Sequence, residues 1–240
     1  MSHYMLKEIR HLMGKAIHIQ NMTRQGDRIM VSVSGGKDSM SLLWLLRERL
    51  KWLPIKYRII AVHVDPGFGT GSADRLRSFF EEQGFEYRII FGDFGPRAHS
   101  DENRENPCFF CSRLRRKAVF EAAAEFDCNK IALGHHKDDM IETFFLNILF
   151  SANISTMMPV QDFFNGKLTI IRPLYMTDEN ILRRFAEHMK LPIIKSCCPS
   201  NGNTKREEIK KMLKTFYRGN KKIKGNIFHA MQNIKTDYMP

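Results

Sequence analysis

Three short stretches carry residues suited to chemistry. Ser34-Gly-Gly-Lys-Asp-Ser39 sets two glycines, a cation, an anion and two hydroxyls between the β-branched run ending at Val33 and a helical apolar pattern. Backbone N–H groups at a helix start have no intrahelical partner and, with the helix dipole, form an anion site. Gly35 and Gly36 can take angles closed to other residues and let a phosphate approach the main chain. Ser34 and Ser39 add hydroxyls, Lys37 can neutralise phosphate charge, and Asp38 can hold Mg²⁺ or order the loop. The plainer alternative is a strand-to-helix turn with a capping serine. The nucleotide fingerprint G-x-x-x-x-G-K-[ST] fails, because Val31 stands at its first glycine and Asp38 at its hydroxyl position. G-x-G-x-x-G fails too.

The second stretch is Cys108-Phe-Phe-Cys111, a spacing suited to chelation or redox chemistry. Five cysteines are present: Cys108, Cys111, Cys128, Cys197 and Cys198. A structural zinc site usually takes four ligands, and the adjacent pair Cys197–Cys198 does not repeat the C-x-x-C geometry. Three thiolates instead suit three irons of a 4Fe–4S cluster, leaving the fourth iron open. Cys128 precedes an apolar strand and is expected to pack as a small apolar residue. The third stretch is Gly134-His-His-Lys-Asp138-Asp139. Paired carboxylates near a triphosphate point to Mg²⁺, and helix capping by Asp138 is compatible with that. His135 and His136 lack the H-E-x-x-H pattern of a zinc site.

The positioning elements follow from periodicity. Strand-like runs are 28–34, 57–65, 86–91, 130–135 and 167–174. Helical runs are 40–50, 73–83, 113–126, 138–150 and 178–190, and the polar stretch 91–107 reads as a long loop. Alternation of this kind predicts an α/β, Rossmann-like fold, a mostly parallel sheet with helices on both faces. Ligands of such sheets bind beyond the carboxyl ends of the strands. The organisation expected is an N-terminal helical arm at 1–26, with Leu6, Ile9, Leu12, Met13 and Ala16 on one side. A nucleotide-binding core at 27–195 carries the C-x-x-C insert, and a C-terminal segment follows at 196–240. Thr204-Lys-Arg-Glu207 fits a capping box, so a basic helix should start there. Between Lys205 and Lys224 lie nine Lys/Arg against two acids, either a solvated face or an RNA-facing arm.

The chain has 240 residues, and 38 Lys/Arg against 26 Asp/Glu give a net charge of +12. Such an excess favours an anionic partner such as RNA or DNA. No apolar run approaches the ~20 residues of a membrane span, and the start lacks the features of a secretory leader. A cytoplasmic protein without membrane association is expected, in which structural disulfides are rare.

"SGGKDS" resembles the pyrophosphate loop of the N-type ATP pyrophosphatases, the PP-loop superfamily. Those enzymes split ATP between its α- and β-phosphates and place AMP on a substrate oxygen. The resemblance implies that Ser34, Gly35, Gly36, Lys37, Asp38 and Ser39 hold the departing pyrophosphate. "AVHVDPGF", with His63 and Asp65, stands where that superfamily places adenosine. "LGHHKDDMIET" resembles its Gly-His-x-x-Asp-Asp element, implying that Gly134 gives room at a strand end. Asp138 and Asp139 then act beside Lys37 and Asp38 in catalysis. "IRPL" implies that Arg172 reaches the nucleotide.

With "CFFCSRLRR" and "CPSNGNTKREEIKKML" the resemblance narrows to the tRNA 2-thiocytidine synthetases, and it covers the chain from about Arg28 to "HAMQNI". It implies adenylation of a cytidine C2 oxygen in the tRNA anticodon loop, then sulfur transfer at a 4Fe–4S cluster on Cys108, Cys111 and Cys198, with Cys197 an extra neighbour. ATP as cosubstrate, Mg²⁺, tRNA, a sulfur donor (a cysteine desulfurase or sulfide) and a homodimeric arrangement come with it. Arg113, Arg115, Arg116 and Lys117 would bind tRNA phosphates or the activated intermediate, or form a solvated face. Two other readings stay open: a different adenylating enzyme of the superfamily, and a non-catalytic zinc- and RNA-binding module.

Overall fold

The computed structural model describes residues 2–69, 71–194, 197–200, 202, 204–235 and 237. The boundary drawn at 195/196 lies outside them. The chain divides into two compact units, residues 1–136 with 158–201, and residues 137–157 with 202–240.

The first unit holds a six-stranded sheet. Its strands are β1 (Arg28–Ser32), β2 (Arg58–Asp65), β3 (Glu86–Phe91), β4 (Lys130–Ala132), β5 (Val160–Phe163) and β6 (Leu168–Ile171), in the order β3-β2-β1-β4-β6-β5. All pairings are parallel except β5 with β6. The parallel strands read as near-continuous apolar runs because both faces are covered. Helix α5 (Pro107–Glu125) lays Ala122 and Ala123 in one core cluster with Met30, Ile60, Val62, Ile131 and Ile170. Ile29, Val31 and Ala61 alternate to the opposite face. Helices α2 (Lys37–Arg49) and α3 (Ser72–Glu82) also contact these strands. Helix α1 (Ser2–Ile19) buries Met5, Ile9, Met13, Ala16 and Ile17, and it contacts α7 (Glu179–His188).

Strand order reverses at β1, which has β2 on one side and β4 on the other. Crossovers leave a crevice at such a switch point. Both the 34–39 loop and Gly134-His135-His136 emerge there. Gly134 is required by close approach: a Cβ on it would lie 2.8 Å from Ser39 N and 3.0 Å from the Asp38 carbonyl carbon. The end of β4 therefore rests directly on the first turn of α2.

Three elements differ from expectation. Helix α5 starts six residues early, because Pro107 occupies its first turn and Asn106 Oδ1 accepts from Cys108 N (3.0 Å) and Phe109 N (3.2 Å). The C-x-x-C pair is thus helical. The polar 91–107 stretch contains a short helix, α4 (Phe94–Ala98). The edge strand β5 follows the loop-like "STMMP" and gains its partner only through β6.

In the second unit, α6 (Lys137–Ser151), α8 (Lys205–Gly219) and α9 (Ile223–Ala230) pack around Ile141, Ile209 and Leu213. Thr204 caps α8 as the capping box predicts, its Oγ1 accepting from Glu207 N at 3.3 Å. Glu142 of α6 is buried 3.6 Å from Arg206. Burial outweighs Lys210 and Arg206 and raises its carboxyl to about 7, with Asp139 and Asp138 adding to the rise.

Two predictions follow from these packings. Gly134→Ala should cost about 1–3 kcal/mol, the scale of overpacking, read as a lower urea midpoint. Gly225→Ala in α9, with open space around it, should be neutral or mildly stabilising. For Glu142, the folded chain keeps a proton between about 4.5 and about 7 that the unfolded chain has released, so stability falls as pH rises through that window. Glu142→Gln should therefore raise Tm over the parent at about pH 8 and match it near pH 4.5; equal shifts at both would sink the assignment.

Candidate nucleotide and sulfur-transfer site

The loop after β1 is built from inside. Gly35 has φ +82°, and a Cβ there would meet Ile194 Cβ at 3.1 Å. Ile194 N donates to Gly35 O at 2.9 Å, tying the loop to the segment that leads to Cys197 and Cys198. Ser39 Oγ accepts from Ser34 N and donates to Gly36 O, both at 3.1 Å. Gly36 N-caps α2 in an extended conformation, and no side chain caps the turn there. The first turn keeps donor capacity for an anion.

Lys37 Nζ lies 3.1 Å from both Asp38 Oδ2 and Glu179 Oε1. Burial alone would lower its proton affinity, but the charges and hydrogen bonds of Asp38 and Glu179 outweigh it and hold the ammonium above its ordinary range. Glu179 was not foreseen. It stands at the start of α7, 142 residues away in sequence, and "MTDEN" reads only as a helix start.

Gly134 is followed by two histidines with separate tasks. His136, buried, places Nε2 3.8 Å from Asp38 Oδ1. His135 Nδ1 accepts from Arg172 Nε at 3.1 Å. Arg172 is buried and also donates to Met158 O. Among the described residues no carboxylate bonds it. Burial, with Arg116 nearby, pushes its guanidinium down to about 10. A buried cation with neutral partners only is costly, and an anion beside it would lower that cost. The positioning role of the two histidines carried no sequence signal beyond the strand end.

At the end of β2, His63 is buried, with Nδ1 2.7 Å from Val33 O. Burial lowers its proton affinity, so the ring is neutral, with Nδ1–H donating. Nε2 is then a buried acceptor with no partner among the described residues. Asp65 is committed to its own turn: Oδ1 accepts from Gly67 N (2.8 Å) and Oδ2 from Ser72 Oγ (3.4 Å). Phe68 of that turn meets the His99 ring edge-on at 5.9 Å.

His99 ends α4 and is a second residue that sequence reading missed. Its Nδ1 donates to Gly95 O (2.9 Å), and its Nε2 accepts from Ser200 Oγ (3.0 Å). It thereby anchors the turn that follows Cys198. Cys108 is exposed, Cys111 buried, Cys198 half-buried and Cys197 exposed. Burial raises the Cys111 thiol; Arg115 opposes the rise, and Cys198 and Cys108 add to it. Cys108 and Cys198 are thus the thiols whose charge reaches Cys111. Among the described residues no three His, Cys, Asp or Glu side chains form a single-ion cage. Cys128 packs in the core as expected, its thiol pushed up to about 11 by burial.

Asp138 and Asp139 open α6 in the second unit. Asp138 pairs with Lys224 at 2.5 Å and Asp139 with Arg206 at 3.6 Å. The basic stretch is therefore divided: Arg206, Lys210 and Lys224 act on the α6 carboxylates, while Lys205, Lys211, Lys214, Arg218, Lys221 and Lys222 are exposed.

Comparison with known proteins agrees with this geometry. The model of the PP-loop domain matches residues 4–214. A tRNA-cytidine(32) 2-sulfurtransferase of Alkalilimnicola ehrlichii is 39% identical over 97% of this chain and 75% of its own. That of Geotalea uraniireducens is 35% identical over 96% and 93%. Among solved structures, the U34-tRNA thiolase NcsA from Methanococcus maripaludis, with its [4Fe-4S] cluster, has a TM-score of 0.77 at 25% identity. That alignment covers 98% of this chain and 80% of the thiolase. The NH3-dependent NAD synthetase of Campylobacter jejuni, 13% identical with a TM-score of 0.52, shares the fold. A glycine-lined turn at the sheet's switch point, bonded through Gly35 O to Ile194, sits in a chain that belongs to the PP-loop domain family and, within it, to the tRNA-cytidine(32) 2-sulfurtransferases.

Proposed function

We propose that this chain is an ATP-dependent tRNA sulfurtransferase that converts an anticodon-loop cytidine to 2-thiocytidine. The observation that supports the reading is that Ile194, three residues before Cys197 in sequence, donates its N–H to Gly35 O of the α2 turn, while His99 bonds Ser200, two residues after Cys198. A pyrimidine C2 carbonyl is a poor electrophile with a poor leaving group, so an enzyme replacing its oxygen by sulfur must first activate it.

The α2 turn suits the β- and γ-phosphates of ATP, and Lys37 exchanges its carboxylate partners for phosphate oxygens. Arg172 suits the nucleotide's α-phosphate side, and His63 Nε2 can accept from a donor such as the adenine amino group. The cytidine O2 attacks the α-phosphorus while the bond to pyrophosphate breaks. Charge growing on pyrophosphate meets Lys37 and the turn's N–H groups, which are already in place. A sulfur nucleophile then adds at C2, and AMP departs with the electrons of the C2–O bond.

The adjacent carboxylates of Asp138 and Asp139, and that of Asp38, are oxygen ligands of the kind Mg²⁺ takes, and the ion would neutralise triphosphate charge. Cys108, Cys111 and Cys198 fit a 4Fe–4S cluster by donor type and mutual influence. When bound it would supply an iron with an open position for sulfide. The reading includes a cytoplasmic setting, in which cysteines stay reduced, a cysteine desulfurase or sulfide as sulfur donor, and a homodimer. Among the described residues no helix is long and apolar enough to cross a membrane.

Nucleoside mass spectrometry of tRNA from cells lacking the gene tests the reading. The wild-type chain should restore 2-thiocytidine. Lys37→Ala and Asp38→Ala should not, and should lower RNA-dependent pyrophosphate release by about 10²–10³-fold while keeping iron. An unchanged nucleoside profile would point to another substrate.

The cysteine assignment has its own test. In an extended segment neighbouring side chains point to opposite sides, and Pro199 biases Cys198 toward that conformation. Cys198→Ser should lose most iron, sulfide and thiolation after anaerobic reconstitution, whereas Cys197→Ser should keep all three. The reverse pattern would move the ligand to Cys197.

A further inference from the structure

Helix α5 carries more than the two cysteines. Phe109, Arg113, Arg116 and Lys117 follow the i, i+4, i+7, i+8 spacing that places residues on one helix face. All four are exposed, Phe109 to 60% of its surface. A large aromatic so exposed, one residue from a thiol that the proposed reaction needs, is not explained by packing.

Its conformation is nevertheless set. Asn106 fixes the first turn through the N–H groups of Cys108 and Phe109. The Arg113 guanidinium stands 5.7 Å from the Phe109 ring centre and 5.2 Å from that of Phe110. Arg97 approaches Phe110 from α4 at 6.0 Å. The cations of the stripe are weakly engaged. Arg113 meets Glu105 at 3.1 Å and Lys117 meets Glu121 at 3.7 Å, both at exposed positions where such pairs contribute little. Arg116 has no ion pair among the described residues. Between residues 97 and 117 there are six Lys/Arg against three acids, a surface complementary to a polyanion.

An exposed ring at the head of a cationic stripe is the arrangement that binds unpaired nucleic acid: bases stack on the aromatic face and phosphates follow the charges. From Phe109 to Lys117 the stripe rises about 12 Å at 1.5 Å per residue, enough for two phosphates of an extended strand. We propose that Phe109 is a stacking platform for an unpaired base of the RNA substrate, with Arg113, Arg116 and Lys117 tracking the phosphates beside it. This rests on the thiolase reading and adds to it a recognition residue that holds the loop, and not the stem, beside Cys108.

The test is fluorescence anisotropy with an anticodon stem-loop and a fully paired RNA of equal length, using reconstituted protein. Phe109→Ala should weaken the stem-loop Kd by roughly 5- to 100-fold, the range for one stacked base. The paired RNA should change by less than about twofold, and iron and sulfide content should be kept. Phe109→Trp should restore the affinity and Phe109→Leu should not. KM for RNA should rise while kcat holds. Stem-loop affinity unchanged in Phe109→Ala, or restored by Leu, overturns the platform. So does equal loss for both RNAs, and so does unchanged RNA affinity with a raised KM for a sulfur-donor protein, which would make the surface a protein dock. A wild-type chain that binds neither RNA and yields no 2-thiocytidine overturns the thiolase reading itself. Wild-type activity with an indifferent Phe109 overturns the platform alone.

Discussion

The contact on which the site depends is the seat of Gly134 against the backbone of Asp38 and Ser39. No side chain fits between them, since an added Cβ would fall 2.8 Å from a main-chain nitrogen. That closeness lets His135 and His136 stand beside the α2 turn. Each then holds one charged group in place: His136 lies by Asp38, and His135 accepts from Arg172. Without it β4 would stand back from α2, and the turn would face solvent on that side. The glycine is therefore a packing requirement first, and its chemical consequence follows from what it brings near.

The charges of the first unit are balanced unevenly, and the imbalance is informative. Lys37 is held by two carboxylates, whereas among the described residues Arg172 has neutral acceptors only, with Arg116 close by. A group paired in this way can be handed to an incoming phosphate without leaving a bare charge behind, because Asp38 and Glu179 remain solvated or can take a cation. A buried guanidinium lacking a carboxylate stores unfavourable energy that an anion relieves. Under the proposed function, the two cations would meet the same class of ligand from opposite starting states.

Much of this was legible in the sequence, for a physical reason. The sheet announces itself because parallel strands buried on both faces are continuous apolar runs, and Glu86–Phe91 was read to the residue. The turn between β1 and α2 was legible because glycines stand where a β-branched run gives way to a helical pattern. Edge strand β5 was hidden because its identity depends on pairing with β6 and not on its own pattern. The early start of α5 was hidden because "NPCFFC" mixes a cap, a proline and cysteines without apolar periodicity. Glu179 and His99 were hidden for a further reason. Each acts across a separation of a hundred residues or more, on Lys37 and Ser200, and a single sequence does not record such meetings.

Helix α5 shows how one element can serve several ends without compromise between them. Its buried side supplies Ala122 and Ala123 to the core, and small residues there let the helix lie close on the sheet. Its first turn presents Cys111 inward and Cys108 outward. Arg115 acts on both Cys111 and His63, and Arg116 acts on Arg172, so consecutive residues reach the cysteines, the β2 end and the β6 end. The 3.6-residue repeat separates these directions by about 100° per residue. A strand, with only two directions, could not distribute them. Placing the C-x-x-C pair within α5, which starts ahead of the helix that the sequence suggested, therefore fixes the thiols and the exposed cationic stripe relative to one another through a single helical backbone.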